Sequence, residues 1–298
     1  AAQGRAGQGR GLTGNLAYGS WRMDKRGGAC PPYAIGSHPG ITHVQRANRR
    51  AGRLLWQLAS FALVFGCWEI AGRWPVSAAF PPFSQTALAF LRMIADGSLP
   101  KAYLSTVQPL LIGVILCGVA GIGFGIGMGL SRAVEWSTLP VLIILQAAPM
   151  AAIIPMITYI YGIGLTAKVL AVVFLAAPVI VMNSYKGIRN TNPSLIQMCR
   201  AFLGTRSQEV MKIILPHAGA LIFTGLRLGL AMGFIGVVIA ELLITPTGVG
   251  DLITYHGSVA DYPEMFAAVA SIILVAAVTI HGLERLERRL FPPEARGA

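Results

Sequence analysis

The chain has 298 residues, 54% of them hydrophobic and 12% charged, with a net charge of +12 and a mean hydropathy of +0.63. A soluble domain carries about twice that charged fraction, so the composition excludes a soluble enzyme and fits a polytopic membrane protein. The surplus of Lys and Arg lies beside apolar runs, the pattern of a membrane protein rather than of a nucleic-acid binder.

Residues 1–50 are rich in Gly and Arg, show no periodicity and lack the apolar core of a signal peptide, so they read as a disordered basic tail. The first Met is Met23, which leaves open whether residues 1–22 belong to the natural protein. A membrane domain is expected over residues 51–291 and a short tail over residues 292–298.

The first span is expected at residues 54–71, after Arg46, Arg49, Arg50 and Arg53 and with Glu69 near its far end. Phe80-Pro81-Pro82-Phe83-Ser84 is a rigid turn that opens an interfacial helix over residues 85–95, and Trp74 and Phe80 suit the headgroup layer. The second span, residues 106–130, carries Gly121, Gly125 and Gly129 at four-residue spacing, interleaved with Gly123 and Gly127. Such a face lets two helix backbones approach closely. The third span, residues 139–161, holds Gln146 and is interrupted by Pro140, Pro149 and Pro155. Proline in a membrane helix frees carbonyls that need partners, so such a helix either lines a polar cavity or simply kinks. Gln146 and Pro149 are therefore candidates for the translocation path. The fourth span, residues 169–185, has Pro178 near its centre.

Residues 192–216 cannot cross a bilayer. Asn192 is a good N-cap and Pro193 a good first helical residue. Leu195, Met198, Cys199 and Phe202 then fall on one face. Gly204 can supply the left-handed residue that ends this helix. Thr205 with Gln208 three residues later is a capping-box pattern, so a second short helix starts there, with Val210, Met211, Ile213 and Ile214 as its apolar residues. The pair can present an apolar knob with a basic rim to a soluble partner, or merely connect two spans.

The fifth span, residues 219–243, contains Arg227 and ends at Glu241, both further candidates for the path. A charge there costs about 2.5–3.5 kcal/mol on insertion, so Arg227 faces the bundle or snorkels. The Gly-rich loop over residues 245–251 continues past Asp261 and Glu264 without any Lys or Arg. The sixth span, residues 265–283, runs into a charged end where Glu284 and Arg288 form an i,i+4 pair.

Lys and Arg concentrate before the first span, around the hairpin at residues 186–212, and after the sixth span. The opposite side holds only Arg73, Arg92, Lys101 and Lys168. Both termini and the hairpin are thereby placed in the cytoplasm. No catalytic motif appears. His217, His256 and His281 are isolated, and Cys30, Cys67, Cys117 and Cys199 have no metal or redox spacing, so no metal and no cofactor is expected.

Ile213, Leu215 and Pro216 match the end of the cytoplasmic loop of bacterial ABC-importer permeases, of the form Glu-Ala-Ala, three residues, Gly, nine residues, Ile-x-Leu-Pro. Gln197 then stands for the Glu, Met198 and Cys199 for the two Ala, and Leu203 for the Gly, with Gly204 one residue later. Arg200-Ala201-Phe202, Thr224-Gly225-Leu226-Arg227-Leu228-Gly229, Gly236-Val237-Val238-Ile239-Ala240-Glu241-Leu242, Gly248-Val249-Gly250 and Tyr161-Gly162-Ile163-Gly164 resemble the nitrate, sulfonate and taurine branch of that family. The resemblance covers residues 54–291. It implies an all-α, six-span type I importer permease with a cytoplasmic coupling hairpin, in a bacterial cytoplasmic membrane. It further implies a homodimer, a separate ATP-binding subunit docked on the hairpin and an external substrate-binding protein. The subunit would carry out no chemistry, and ATP would be bound by its partner. Gln197, Arg200, Ala201, Phe202, Leu203, Gly204 and Arg206 are the residues expected to meet the ATPase. The rival reading, an ion-gradient-driven secondary transporter, wants paired intramembrane carboxylates, and the spans offer Glu69 and Glu241, both near ends. A membrane scaffold is a third reading, one that leaves the proline-broken span and the hairpin without a purpose.

Overall fold

Apolar residues at helical spacing dominate this sequence, and the structure, a computed structural model, is helical throughout its described part. It describes residues 39–74, 79–244 and 246–290, with side chains from residue 56 onward apart from those of 150 and 151. The helices are α1 (Pro39–Arg73), α2 (Phe83–Ala95), α3 (Ser98–Leu130), α4 (Arg132–Ala147), α5 (Met150–Tyr161) and α6 (Leu165–Arg189). After them come α7 (Pro193–Ala201), α8 (Arg206–Gln208), a π-helical turn (Glu209–Ile214), α9 (Leu215–Leu243), α10 (Val249–Ser258) and α11 (Tyr262–Leu290). Residues 1–38 of the expected tail, residues 291–298 and Thr245 of the Gly-rich loop lie outside the described residues. Helix α1 begins at Pro39, within the stretch read as tail.

Four of these segments are long and apolar enough to cross a membrane: α3, α6, the continuous helix 206–243, and α11. Their outward residues, such as Val119, Ile273 and Val278, are exposed apolar side chains, as a lipid-facing surface requires. The span expected at residues 54–71 lies inside α1, whose Trp56, Leu58, Phe61 and Leu63 are exposed as well. At the far end of α1, Glu69 accepts from the Ser84 backbone N–H and hydroxyl, both at 2.9 Å, and so caps α2 from outside it.

Helix α6 is the centre of residues 60–298. Of its most apolar stretch 44% is enclosed, against 17% for α11. Its two main neighbours are α3 and α9, and both meet it with glycine. On α3, a Cβ at Gly125 would stand 2.6 Å from Ser184 Cβ and 2.7 Å from the Val181 carbonyl, and one at Gly129 would stand 2.6 Å from Ile188. The Gly121-Gly125-Gly129 face expected from the sequence is therefore a close helix contact, while Gly123 and Gly127 face open space. On α9, Gly225, Gly229, Gly233 and Gly236 do the same against Asn183, Ile180, Val172 and Ala171. In lipid no hydrophobic driving force separates helix from solvent, so this close approach, and the dispersion energy it brings, is what holds the three together.

Two expected elements differ. The third span is not one helix. It is α4 and α5, bent by 104° at a break of a few residues. Ala148 and Pro149 are extended there, with ψ of 134° and 101°. Proline clashes with a helical residue before it and offers no N–H, so the helix stops at Ala147 and restarts beyond Pro149. Pro140 and Pro155, by contrast, are carried inside α4 and α5. The fifth span does not begin at residue 219 either. Helix runs unbroken from Arg206 to Leu243. The widened turn at Glu209–Ile214 precedes Pro216 and absorbs it, since an i→i+5 turn leaves room that a regular turn lacks.

Candidate functional site

The hairpin is built by local chemistry at each joint. Asn192 caps α7, its Oδ1 accepting from the Ser194 N–H at 2.9 Å, with Pro193 in the first turn. The helix closes with Leu203 N–H donating to the Arg200 carbonyl at 3.0 Å and Gly204 N–H to the Cys199 carbonyl at 2.9 Å. This paired closure needs a left-handed residue, and the residue is Leu203, with φ of 57°. The expectation that Gly204 takes that role is corrected. Gly204 is required for space instead: a Cβ there would stand 2.5 Å from Cys199 Sγ and 2.9 Å from its carbonyl. Leu203 is the residue that stands where the family pattern has its Gly. The capping box follows as expected, with Thr205 Oγ1 accepting from Gln208 N–H and Gln208 Oε1 from Thr205 N–H.

Glu209 ties the two arms together. Its carboxylate accepts from Arg200 Nε at 3.2 Å and Nη2 at 3.3 Å, and from Arg206 Nη1 at 3.2 Å. The Arg200 hydrogen bonds hold the Glu209 carboxyl below the usual carboxylate range and raise the guanidinium in turn. On the inner side, Ile196 and Val210 pack on Ile188, Ile214 and Ala218. On the outer side, Phe202 is 81% and Leu203 92% exposed, beside exposed Ala201 and Gln197. An apolar tip thus stands on a base fixed by one carboxylate and two guanidiniums. The sequence reading had the tip and both arginines but not Glu209. Its i,i+3 spacing from Arg206 was the available signal.

The four path candidates are not brought together. Gln146 lines a cavity between α4, α6 and α9 with Leu145, Phe174, Pro178, Val179 and Met232. Pro149 sits at the break between α4 and α5. Arg227 pairs with Glu284 at 3.0 Å and Glu287 at 3.4 Å on α11, so it faces protein rather than lipid. Glu284 thereby joins α9 to α11.

Glu241 forms a buried ion pair with Lys168, at 2.8 Å. Lys168, one of the four charges expected on the side opposite the hairpin, is enclosed in the protein. The partners of this pair come from three helices and a loop: Thr106 on α3, Lys168 on α6, Glu241 on α9, and the segment 246–250. Gly248, with φ of 101°, lies against the Glu241 carboxylate, and any Cβ there would overlap it. Among the described residues no cluster of His, Cys, Asp and Glu could hold a metal.

Residues 120–292, from the glycine face of α3 through the hairpin and both charge networks, match the family described as binding-protein-dependent transport system inner membrane component. The taurine transport system permease protein TauC of Escherichia coli strain K12 is 29% identical over 76% of this chain and 84% of its own length. The putative aliphatic sulfonates transport permease protein SsuC of Bacillus subtilis strain 168 is 28% identical over 86% of this chain and 95% of its own. Among solved structures, a chain of the MetNI methionine ABC transporter shares the fold, with a TM-score of 0.56 at 19% identity over 64% of this chain and 95% of that one. With more than half of its length matched, this all-helical chain belongs to the binding-protein-dependent inner-membrane components, the multi-pass permease subunits of ABC importers.

Proposed function

We propose that this chain forms the pore for a small anionic or zwitterionic solute of the sulfonate, taurine or nitrate kind. It works as a homodimer, receives the solute from an external binding protein, and is driven by ATP bound and hydrolysed on a cytoplasmic partner. The similarity to TauC and SsuC supports the solute class. Six spans are counted by adding α1 and the bent α4–α5 pair to the four long helices, with both termini and the hairpin in the cytoplasm. The permease itself holds no cofactor.

The observation that carries this reading is the exposed Phe202–Leu203 tip on a hairpin continuous with a membrane-length helix. Such a tip suits a groove on the ATPase, with Arg200 and Arg206 steering the approach. The rival reading wants paired intramembrane carboxylates. Glu69 caps α2 and Glu241 is paired with Lys168, so neither is poised to take up a driving ion.

Phe202→Ala tests the reading. Truncating a buried aromatic anchor costs about 2 kcal/mol or more, or roughly a 30-fold loss of affinity. The variant is expected to insert normally, to lose ATPase subunit on purification, and to lose solute-stimulated ATP hydrolysis. Full association and stimulation in a well-expressed variant would remove Phe202 as the anchor. The same result after replacing residues 201–204 by a flexible linker would sink the docking role.

A further inference from the structure

At the far end of α9 a polar network does more than fill space. The Lys168 side chain is 4% exposed and that of Glu241 not at all. Lys168 Nζ donates three hydrogen bonds, to Glu241 Oε1 at 2.8 Å, to the Thr247 carbonyl at 2.9 Å and to Thr247 Oγ1 at 2.9 Å. Glu241 accepts in addition from Thr106 Oγ1 and, at 3.1 Å, from the Gly250 N–H. Thr106 Oγ1 accepts from the Val249 N–H at 3.1 Å. Thr247 lies just before α10, and Val249 and Gly250 are its first two residues. Segment 246–250 is therefore held on the bundle by one ion pair and its hydrogen bonds.

Well-packed apolar side chains of similar volume often stabilise a buried site as well as an ion pair does. What the ion pair adds is a switch-like bond. It has one geometry, and parting it leaves two charges in a low dielectric until water reaches them. Lys168 and Glu241 stand on different helices, so a movement of α9 that draws Glu241 away from α6 parts them and pulls apart the two anchors of the segment, Thr247 on Lys168 and Gly250 on Glu241. Helix 206–243 is 38 residues long, about 57 Å at 1.5 Å per residue, and its other end is the hairpin.

We propose that the Lys168–Glu241 pair is a latch that holds segment 246–250 closed over the outer end of the bundle, and that helix 206–243 carries movement of the docked hairpin to it. This rests on the hairpin being the ATPase dock. Lys168 and Glu241 are positioning residues and do not touch the solute.

Val249, fully buried within the segment, reports on the latch. Val249→Cys is made in a chain without its native cysteines, co-expressed with the ATPase subunit, and treated from outside with a membrane-impermeant maleimide in the absence of ATP. The double variant Lys168→Met/Glu241→Gln leaves no ion unpaired. It is expected to label about tenfold faster, to keep its ATPase subunit, and to hydrolyse ATP without solute stimulation. Thr247→Val, at an exposed position, removes one partner of Lys168 without disturbing the fold and is expected to label about threefold faster. A purely structural pair would lower the yield of the double variant and leave labelling of the assembled protein at the parental rate, and that outcome overturns the latch. So does a parental rate in the Thr247→Val variant. If the parent itself fails to retain the ATPase subunit, the docking reading fails instead, and the labelling arm still reports on the latch.

Discussion

Leu203 is a residue in the wrong conformation for its type. A left-handed backbone costs a β-carbon residue about 1–2 kcal/mol relative to a right-handed one, and the next residue is a glycine that could have taken it. As built, the turn leaves both Phe202 and Leu203 at the tip. Glu209 fixes the base below them, and its protonation has a definite sign. The folded carboxyl lies below its ordinary value of about 4.3 because it accepts from Arg200. Its contribution to stability is therefore complete above that ordinary value and disappears as pH falls through the lowered one. Glu209→Gln is expected to melt a few degrees below wild type in detergent, with a gap constant from about pH 8 to pH 5 that closes in stronger acid. A gap that widens on acidification would contradict the clamp.

At the level of elements, much of the architecture could be read from the residues and some could not. The capping box at Thr205, the Asn192 cap, helix α2 and the α3 glycine face were legible because each is local chemistry or simple periodicity. The second glycine face, Gly225-Gly229-Gly233, has the same spacing and was there to be read. The prolines were not decidable. Pro149 ends a helix, Pro140, Pro155 and Pro178 do not, and Pro216 is absorbed by a π turn; which occurs depends on whether neighbouring turns can widen, and that is set by tertiary packing. The burial of Lys168 against Glu241 was not legible, because counting charges by side says nothing of which Lys is enclosed. The glycine faces make a paired prediction. Gly125→Leu forces a side chain onto Ser184 and the Val181 carbonyl, so it is expected to cost at least the 1–3 kcal/mol or so of ordinary overpacking, seen as lost yield and a lower melting temperature. Gly123→Leu, two residues away and facing open space, is expected to melt within about a degree of wild type. Equal damage from both would show that α3 packs on its other face as well.

For the whole molecule, the continuous helix fixes a geometry that any topology must obey. At about 57 Å it exceeds the roughly 30 Å hydrocarbon core, so its two ends emerge on opposite sides. The hairpin end is rich in Lys and Arg, and the loop end lacks them. In a chain without native cysteines, Arg206→Cys is expected to resist an impermeant maleimide in intact cells and to react in inverted vesicles, and Ser258→Cys to show the reverse. Labelling of the Arg206→Cys variant from outside would invert the orientation and take the docking proposal with it.

The two glycine faces also have a consequence for how such a chain diverges. Ile180 fills the notch at Gly121 on α3 and the notch at Gly229 on α9, and Val172 does the same for Gly113 and Gly233. Positions 121 and 229 thus share one wedge on α6. A methyl group accepted on one side has to be given up by that wedge, because the opposite notch is already a glycine. Positions 121, 180 and 229 therefore have one volume to divide among three side chains, and a change at either glycine calls for a smaller residue at 180.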